Sequence, residues 1–406
     1  MLEGFKSLPR NAKACIATEP LWALFAPATI YFMPLFQKQL GLTELQMGSL
    51  NSINIAAGLL FYLFAAPITN KLGRRSTSFW FDFAAWTLPM ILWAMARSYT
   101  WFLFATIANA VVRIIYVSWN LLLSEDASET QRPAIFGYIN AIGSLGGITT
   151  LAGGLLIQKY GVLPAMRGLF WGGAVAISAL FIIRYFYSRE TKVGEFMMAR
   201  TKGESLLRLV VRQLPGALHA LKEPFFRRMT GIFFIGNAVL SIDFFRVLYL
   251  KDVKALNPLT VSLLPALGAV LSFIVFFVIL PRRKGQKDKK SLKLAFLACL
   301  VAQVLFILMP RGSIAASILV FPSLQASVAL FQTFRDTVFM NGTDAELKSD
   351  RFSLIQILMM FFSIPMGALA GFLYSRDPRL PFVMASALYL AGFFLARSIQ
   401  KLGDTA

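Results

Sequence analysis

Along the chain, apolar runs of about twenty residues alternate with short polar segments. A run of that length spans a hydrocarbon core of about 30 Å as a helix. The pattern predicts twelve such runs, six on each side of a polar, cation-rich middle. They are Ala14–Leu40, Leu45–Thr69, Ser78–Ala96, Trp101–Leu123, Pro133–Tyr160 and Arg167–Tyr187, then Arg228–Leu250, Pro258–Leu280, Ser291–Met309, Ser313–Met340, Phe352–Tyr374 and Leu380–Arg397. They are called spans 1 to 12. The expected architecture is an all-α integral membrane protein of two six-helix bundles. Residues 1–187 form the first, residues 188–227 a basic linker, and residues 228–406 the second.

Punctuation within the runs adds detail. Pro20, Pro27 and Pro34 fall in span 1, where each proline frees a carbonyl and allows a bend. Span 5 is glycine-rich, with Gly137, Gly143, Gly146, Gly147, Gly153 and Gly154, which suits close helix packing in lipid. In the linker, Leu206, Leu207, Leu209, Val210 and Leu214 alternate with Arg208 and Arg212, as in a helix lying in the membrane interface. The polar Met1–Lys13 stretch and the length of the first apolar run read as no removable signal peptide.

Composition supports the membrane reading. The 406 residues are 57% hydrophobic and 15% charged, with a mean hydropathy of +0.64. A soluble domain carries about 25% charged residues. The net charge of +20 would suggest nucleic acid in a soluble protein, but its distribution argues otherwise. Of the 40 Lys and Arg, 28 lie in or beside one set of alternate loops, nine lie on the other side, and Arg113, Arg246 and Arg335 lie within spans. That asymmetry places both termini in the cytoplasm and the protein in the inner, cytoplasmic membrane. The basic loops should attract anionic inner-leaflet lipid. Base-stacking aromatics are missing from them, so nucleic acid is not an expected partner. Cys15 and Cys299 form no disulfide framework or metal motif. The lone histidine, His219, stands in the linker and reads as a solvated residue. Motifs of hydrolases, nucleotide-binding loops and zinc peptidases are absent, so no enzyme, cofactor or metal is expected, and energy must come from a gradient.

The halves echo each other. Asp126-Ala127 recurs as Asp344-Ala345, Leu151-Ala152-Gly153 as Leu369-Ala370-Gly371, and Tyr31 as Tyr249, all 218 residues apart. Two bundles related by a pseudo-twofold axis along the membrane normal follow. Transporters of this construction hold solute near midplane and rock their halves around it.

With these features the chain resembles the major facilitator superfamily over essentially its whole length. The family's loop between spans 2 and 3 reads G-x-x-x-D-[RK]-x-G-[RK]-[RK]. Here it reads Ala66-Pro67-Ile68-Thr69-Asn70-Lys71-Leu72-Gly73-Arg74-Arg75, with Ala66 for the first glycine and Asn70 for the acid. In the family that acid helps latch the cytoplasmic face, so the resemblance implies a weaker or purely hydrogen-bonded latch. It also implies a monomer. Arg113 fits the place of an arginine found in span 4 of proton-linked members, although Val117 replaces the glycine four residues on. Span 5 lacks the proline of drug antiporters.

Charges inside spans need a partner or a purpose, since each costs roughly 2.5–3.5 kcal/mol at the centre on insertion scales. Asn109, Arg113, Tyr116 and Asn120 form a polar stripe on span 4 that should face water. The alternative is that Arg113 clamps a neighbouring acid or carbonyl. Span 7 carries Asp243, Arg246 and Tyr249, of which the first two can pair on their own helix. Gln325, Gln332 and Asp336 share a face of span 10, while Arg335 and Asp336, being adjacent, should meet different neighbours. Tyr31 of span 1 completes the solute-binding candidates. Glu19, Asp82, Arg335 and Asp336 lie towards the cytoplasmic end and, with Asn70, Lys71, Gly73, Arg74 and Arg75, are candidates for proton coupling or gating; capping or snorkelling explains the carboxylates as well. The functional expectation is a secondary transporter of a small polar solute. The alternatives are an exporter or flippase of amphipathic molecules, and a non-transporting sensor or scaffold.

Overall fold

A computed structural model describes residues 5, 7–128, 131–211, 222–275, 288–343 and 348–404. Glu129, His219 and most of the basic loop after span 8 lie outside them. The described chain is helical, with no strand among its residues. Nine described helices are long and apolar enough to cross a membrane, and Pro258–Ile274 is a shorter apolar helix. Span 5 is one helix of 29 residues, Arg132–Tyr160.

The chain divides into two compact units. The first comprises 1–41 and 53–215, the second 42–52 and 216–406. The helix Glu44–Leu72 of span 2 is therefore shared, and its first turns pack within the second unit. There Ser52 accepts the amide N–H of Ala368 through Oγ at 2.8 Å, and Gly48 meets Gly367 and Gly371 backbone to backbone.

Within the first unit, span 1 is interrupted at Leu24–Phe25, between Arg10–Ala23 and Ala26–Gln39. Of its three prolines only Pro27 adjoins the break; the helix runs through Pro20 and Pro34. A residue at position 27 would normally donate to the carbonyl of Ala23, and proline has no N–H to give. Thr149 Oγ1 of span 5 donates to that carbonyl instead, at 3.1 Å. A Cβ on Gly146, one turn away, would stand 2.5 Å from Pro27 Cγ. The glycine of span 5 and the proline of span 1 are thus one packing solution.

Span 3 also departs from a regular helix. Arg74–Asp82 passes through a wider π-turn at Phe83–Thr87 before resuming at Leu88–Ala94. A π-turn leaves a backbone carbonyl without its usual partner. Asn109 Nδ2 of span 4 donates to Ala85 O at 2.9 Å.

In the second unit, the ladder of span 7 breaks at Phe244–Phe245, after Pro224–Asp243 and before Arg246–Leu248 and a π-turn at Tyr249–Val253. The sequence pattern predicts one uninterrupted run there, and the structure differs. The core around the break is aromatic: Tyr249 packs against Phe306 and Phe382, and Phe245 stacks on Tyr374 at 5.1 Å.

Candidate functional site

The i→i−4 ladder of span 4 tightens for one turn at Val111: Val111 N–H reaches Ala108 O and Ile114 N–H reaches Val111 O. Tyr99–Ala110 lies on one side of that turn and Val112–Ser124 on the other. Beyond it, Ile114, Ile115, Ser118, Leu122 and Leu123 turn into the core of the first unit. Arg113, Tyr116 and Asn120 are left on the opposite face, with Tyr116 63% exposed. The stripe is real, but its members differ in use. Asn109 is committed to the Ala85 carbonyl, and Asn120 donates to its own helix at Tyr116 O.

Arg113 is different. Its Nε is buried and without a hydrogen-bond partner, as are those of Arg167 and Arg246, but those two are bonded through another nitrogen. Among the described residues it makes no ion pair and no hydrogen bond, and the groups acting on it electrostatically are the hydroxyls of Tyr62 and Tyr116. Five other arginines have their acids: Arg74 with Glu125, Arg184 with Asp82, Arg246 with Asp243, Arg335 with Asp336, and Arg351 with Glu223. The alternative in which Arg113 clamps an acid or carbonyl is therefore not what the described residues show. A guanidinium is charged at any physiological pH. Facing hydrocarbon it would carry the insertion cost of roughly 2.5–3.5 kcal/mol with nothing among the described residues to offset it.

Deeper in the first unit, Asp82 of span 3 and Arg184 of span 6 form a buried ion pair, with Glu19 and Cys15 of span 1 close enough to act on both. Arg184 lies in the last turn of the helix Val162–Tyr187 and is 4% exposed. The 70–75 loop is tied into the first unit. Gly73 takes φ +84°, and Glu190 accepts the amide N–H groups of Arg74 and Arg75, at 2.9 and 3.0 Å. Arg74 makes a two-pronged pair with Glu125 and reaches Asn70 Oδ1 at 3.1 Å. Arg75 donates to Tyr185 O and lies over its ring. Lys71 donates to Glu204 O, and Thr201 to Asn70 O. Asn70 thus serves as an acceptor for Arg74, while the carboxylate on this turn comes from Glu190, a residue the sequence pattern does not single out.

In the second unit, Asp243 and Arg246 pair across the break in span 7, three residues apart. Arg246 is flanked by the rings of Phe306 and Phe321, each 5.6 Å away. Tyr249 is wholly buried and belongs to the aromatic core. Arg335 and Asp336, expected to meet different neighbours, pair with each other, Nε to Oδ1 at 2.8 Å. The long guanidinium arm folds back along its own helix, over Phe233 at 4.3 Å. Gln325 and Gln332 are half-buried; Gln325 Oε1 has no partner and lies against Gly268. Tyr31, half-buried, meets Phe32 edge to face. No cluster of metal-ligating side chains occurs among the described residues.

A model of the Major Facilitator Superfamily matches residues 22–340. The chain belongs to this superfamily. Solved transporter structures resemble it along almost its whole length. A point mutant of the nucleoside transporter NupG has a TM-score of 0.74 and 11% identity, covering 96% of this chain and 98% of that one. A bacterial homologue of the iron transporter ferroportin, in an inward-facing state, has a TM-score of 0.68 and 16% identity, covering 97% and 99%. A POT family transporter in complex with 5-aminolevulinic acid has a TM-score of 0.68 and 12% identity, covering 98% and 96%. At such identities the likeness concerns the fold alone. No curated protein sequence matches the chain. Superfamily membership makes it a multi-pass membrane protein of the transporter class.

Proposed function

We propose that this chain is a secondary active transporter that moves a small polar solute across the cytoplasmic membrane by alternating access. The observation that carries the reading is the combination on span 4: a tightened turn at Val111 with Arg113 beside it, charged, half-buried and unpaired among the described residues. Interrupted spans mark binding regions in transporters built from repeats, because a broken ladder presents polar backbone where solute passes. Spans 1, 4 and 7 are all interrupted. In this reading Arg113, Tyr116 and Asn120 are the solute-contact candidates of the first half, and Asp243, Arg246, Gln325 and Gln332 those of the second, each half taken by itself. The halves are the two six-span bundles, 1–187 and 228–406, with both termini in the cytoplasm. The protein works as a monomer, needs no cofactor, catalyses no reaction, and meets anionic lipid at its basic loops. Proton coupling, where it operates, passes through the buried Asp82 or the half-buried Glu19 or Asp243.

The test is solute uptake into proteoliposomes, with and without an inward proton gradient. Saturable, accumulative uptake that the gradient accelerates is the expected result. Uptake that never exceeds that of empty vesicles, for every polar solute tried, refutes transport. Movement confined to fluorescent lipids or drugs would replace the reading by that of a flippase or exporter.

A further inference from the structure

We infer that the solute carries a carboxylate, and that Arg113 is the residue that holds it. The inference rests on the transporter reading and goes beyond it by naming the charge of the cargo. Its basis is how the described arginines are partnered. Arg74, Arg184, Arg246, Arg335 and Arg351 each have an acid. Arg75, Arg167 and Arg228 donate to backbone carbonyls. Arg113 has neither, has an unsatisfied buried Nε, and stands on the face of span 4 turned away from the core. A side chain left in this state is completed by an anion that comes and goes.

The neighbourhood narrows the anion. Tyr62 and Tyr116 act on Arg113 electrostatically, and among the described residues no other charged group does so. One guanidinium fork matches one carboxylate, two parallel N–H bonds to two oxygens. A phosphate dianion would leave a net negative charge in mid-span, which the site has nothing to balance. The exposed ring of Tyr116, one turn along, offers an apolar and hydrogen-bonding surface beside the fork. The cargo that fits is a singly charged organic acid. A neutral sugar or nucleoside would leave Arg113 unpaired even when bound.

The experiment is a thermal-unfolding titration of detergent-purified full-length protein with matched pairs: acetate and acetamide, L-lactate and L-lactamide, benzoate and benzamide, with inorganic phosphate as the dianion. The expected result is that at least one carboxylate raises the unfolding midpoint by several degrees at about a hundredfold excess over its Kd. Its amide and phosphate do not. Arg113→Gln weakens that binding roughly 10- to 100-fold, the range of a charge-assisted bidentate contact. Arg113→Lys, which keeps the charge and loses the fork, falls between. Both variants must still unfold cooperatively. Absence of any carboxylate response, or equal response to acid and amide, overturns the inference, as does carboxylate binding unchanged in Arg113→Gln. Flux separates this from the broader reading. Arg113-dependent carboxylate binding without saturable vesicle uptake sinks transport and leaves the anion site. Saturable uptake of a neutral solute by wild type and Arg113→Gln alike sinks the anion site and leaves transport.

Discussion

Replacing Arg113 by Gln should make the unliganded protein more stable, whereas the same change at Arg184 should make it less so. Arg113 is desolvated in part, and no protein group offsets that cost. Full burial of an arginine at a span centre costs roughly 2.5–3.5 kcal/mol on insertion scales. Arg113 keeps part of its exposure, so about half that figure, ~1–2 kcal/mol, is released when the charge is removed. At the specific unfolding entropy of proteins, that raises the midpoint of a chain of 406 residues by about 1–2 °C. Arg184 is 4% exposed and paired with Asp82, so Arg184→Gln strands a carboxylate in the core. Breaking such a pair from one side costs roughly 3–5 kcal/mol. The assay is built into the chain: Cys15 and Cys299 are both free and buried, one in each unit. A thiol-reactive fluorophore therefore reports unfolding, and Cys299→Ala restricts the signal to the first unit. An Arg113→Gln midpoint lowered as far as that of Arg184→Gln would refute the reasoning, because Arg113 would then have a structural counterpart. The double variant Asp82→Asn with Arg184→Gln should recover much of the loss from Arg184→Gln.

Three further outcomes follow from single contacts. Glu190→Ala removes the acceptor for the Arg74 and Arg75 amides and should cost about 1 kcal/mol, as loss of a helix cap does, with trypsin cleaving the segment after Lys192 faster; an unchanged digestion rate counts against the cap. Gly146→Val should abolish folded yield on size-exclusion chromatography, because its Cβ meets Pro27, while Gly137→Ala, with nothing within 4 Å, should leave the yield intact. Thr149→Val leaves the Ala23 carbonyl unsatisfied and should lower the midpoint by the equivalent of about 1–3 kcal/mol, with most of the loss recovered in Pro27→Ala, which restores the donor.

Much of the frame was legible because bilayer thickness imposes it on composition: a run of apolar residues is long or short, and cations crowd one side. The stripe on span 4 was equally legible, since helical periodicity alone brings Arg113, Tyr116 and Asn120 to one face. Pairings were not. Asp82 and Arg184 are 102 residues apart, and Glu190 reaches back 116 residues to Arg74, separations at which no local pattern carries information. Arg335 and Asp336 misled for the opposite reason. Their Cα–Cβ bonds diverge, as adjacency dictates, but an arginine side chain is long enough to return to its neighbour. The breaks in spans 1 and 7 show the limit of proline as a signal. Three prolines occur in span 1 and only one adjoins a break, while span 7 breaks at Phe244–Phe245 beside an ion pair, with no proline there.

The clasp of Glu190 on the 70–75 loop has a consequence for biogenesis. The ribosome makes Arg74 and Arg75 long before the carboxylate that receives their amides, 116 and 115 residues later. At about 5–20 residues per second, roughly 6–23 s pass between the two. During that interval Arg74 can already pair with Glu125, but the amides of the first turn of span 3 have no carboxylate to receive them. Spans 3 to 6 are all made before that carboxylate is. The first half of the protein is therefore finished by a residue that follows its last span, and a nascent chain halted at Tyr187 would hold all six spans and the Arg74–Glu125 pair, with the amides of Arg74 and Arg75 still lacking their acceptor.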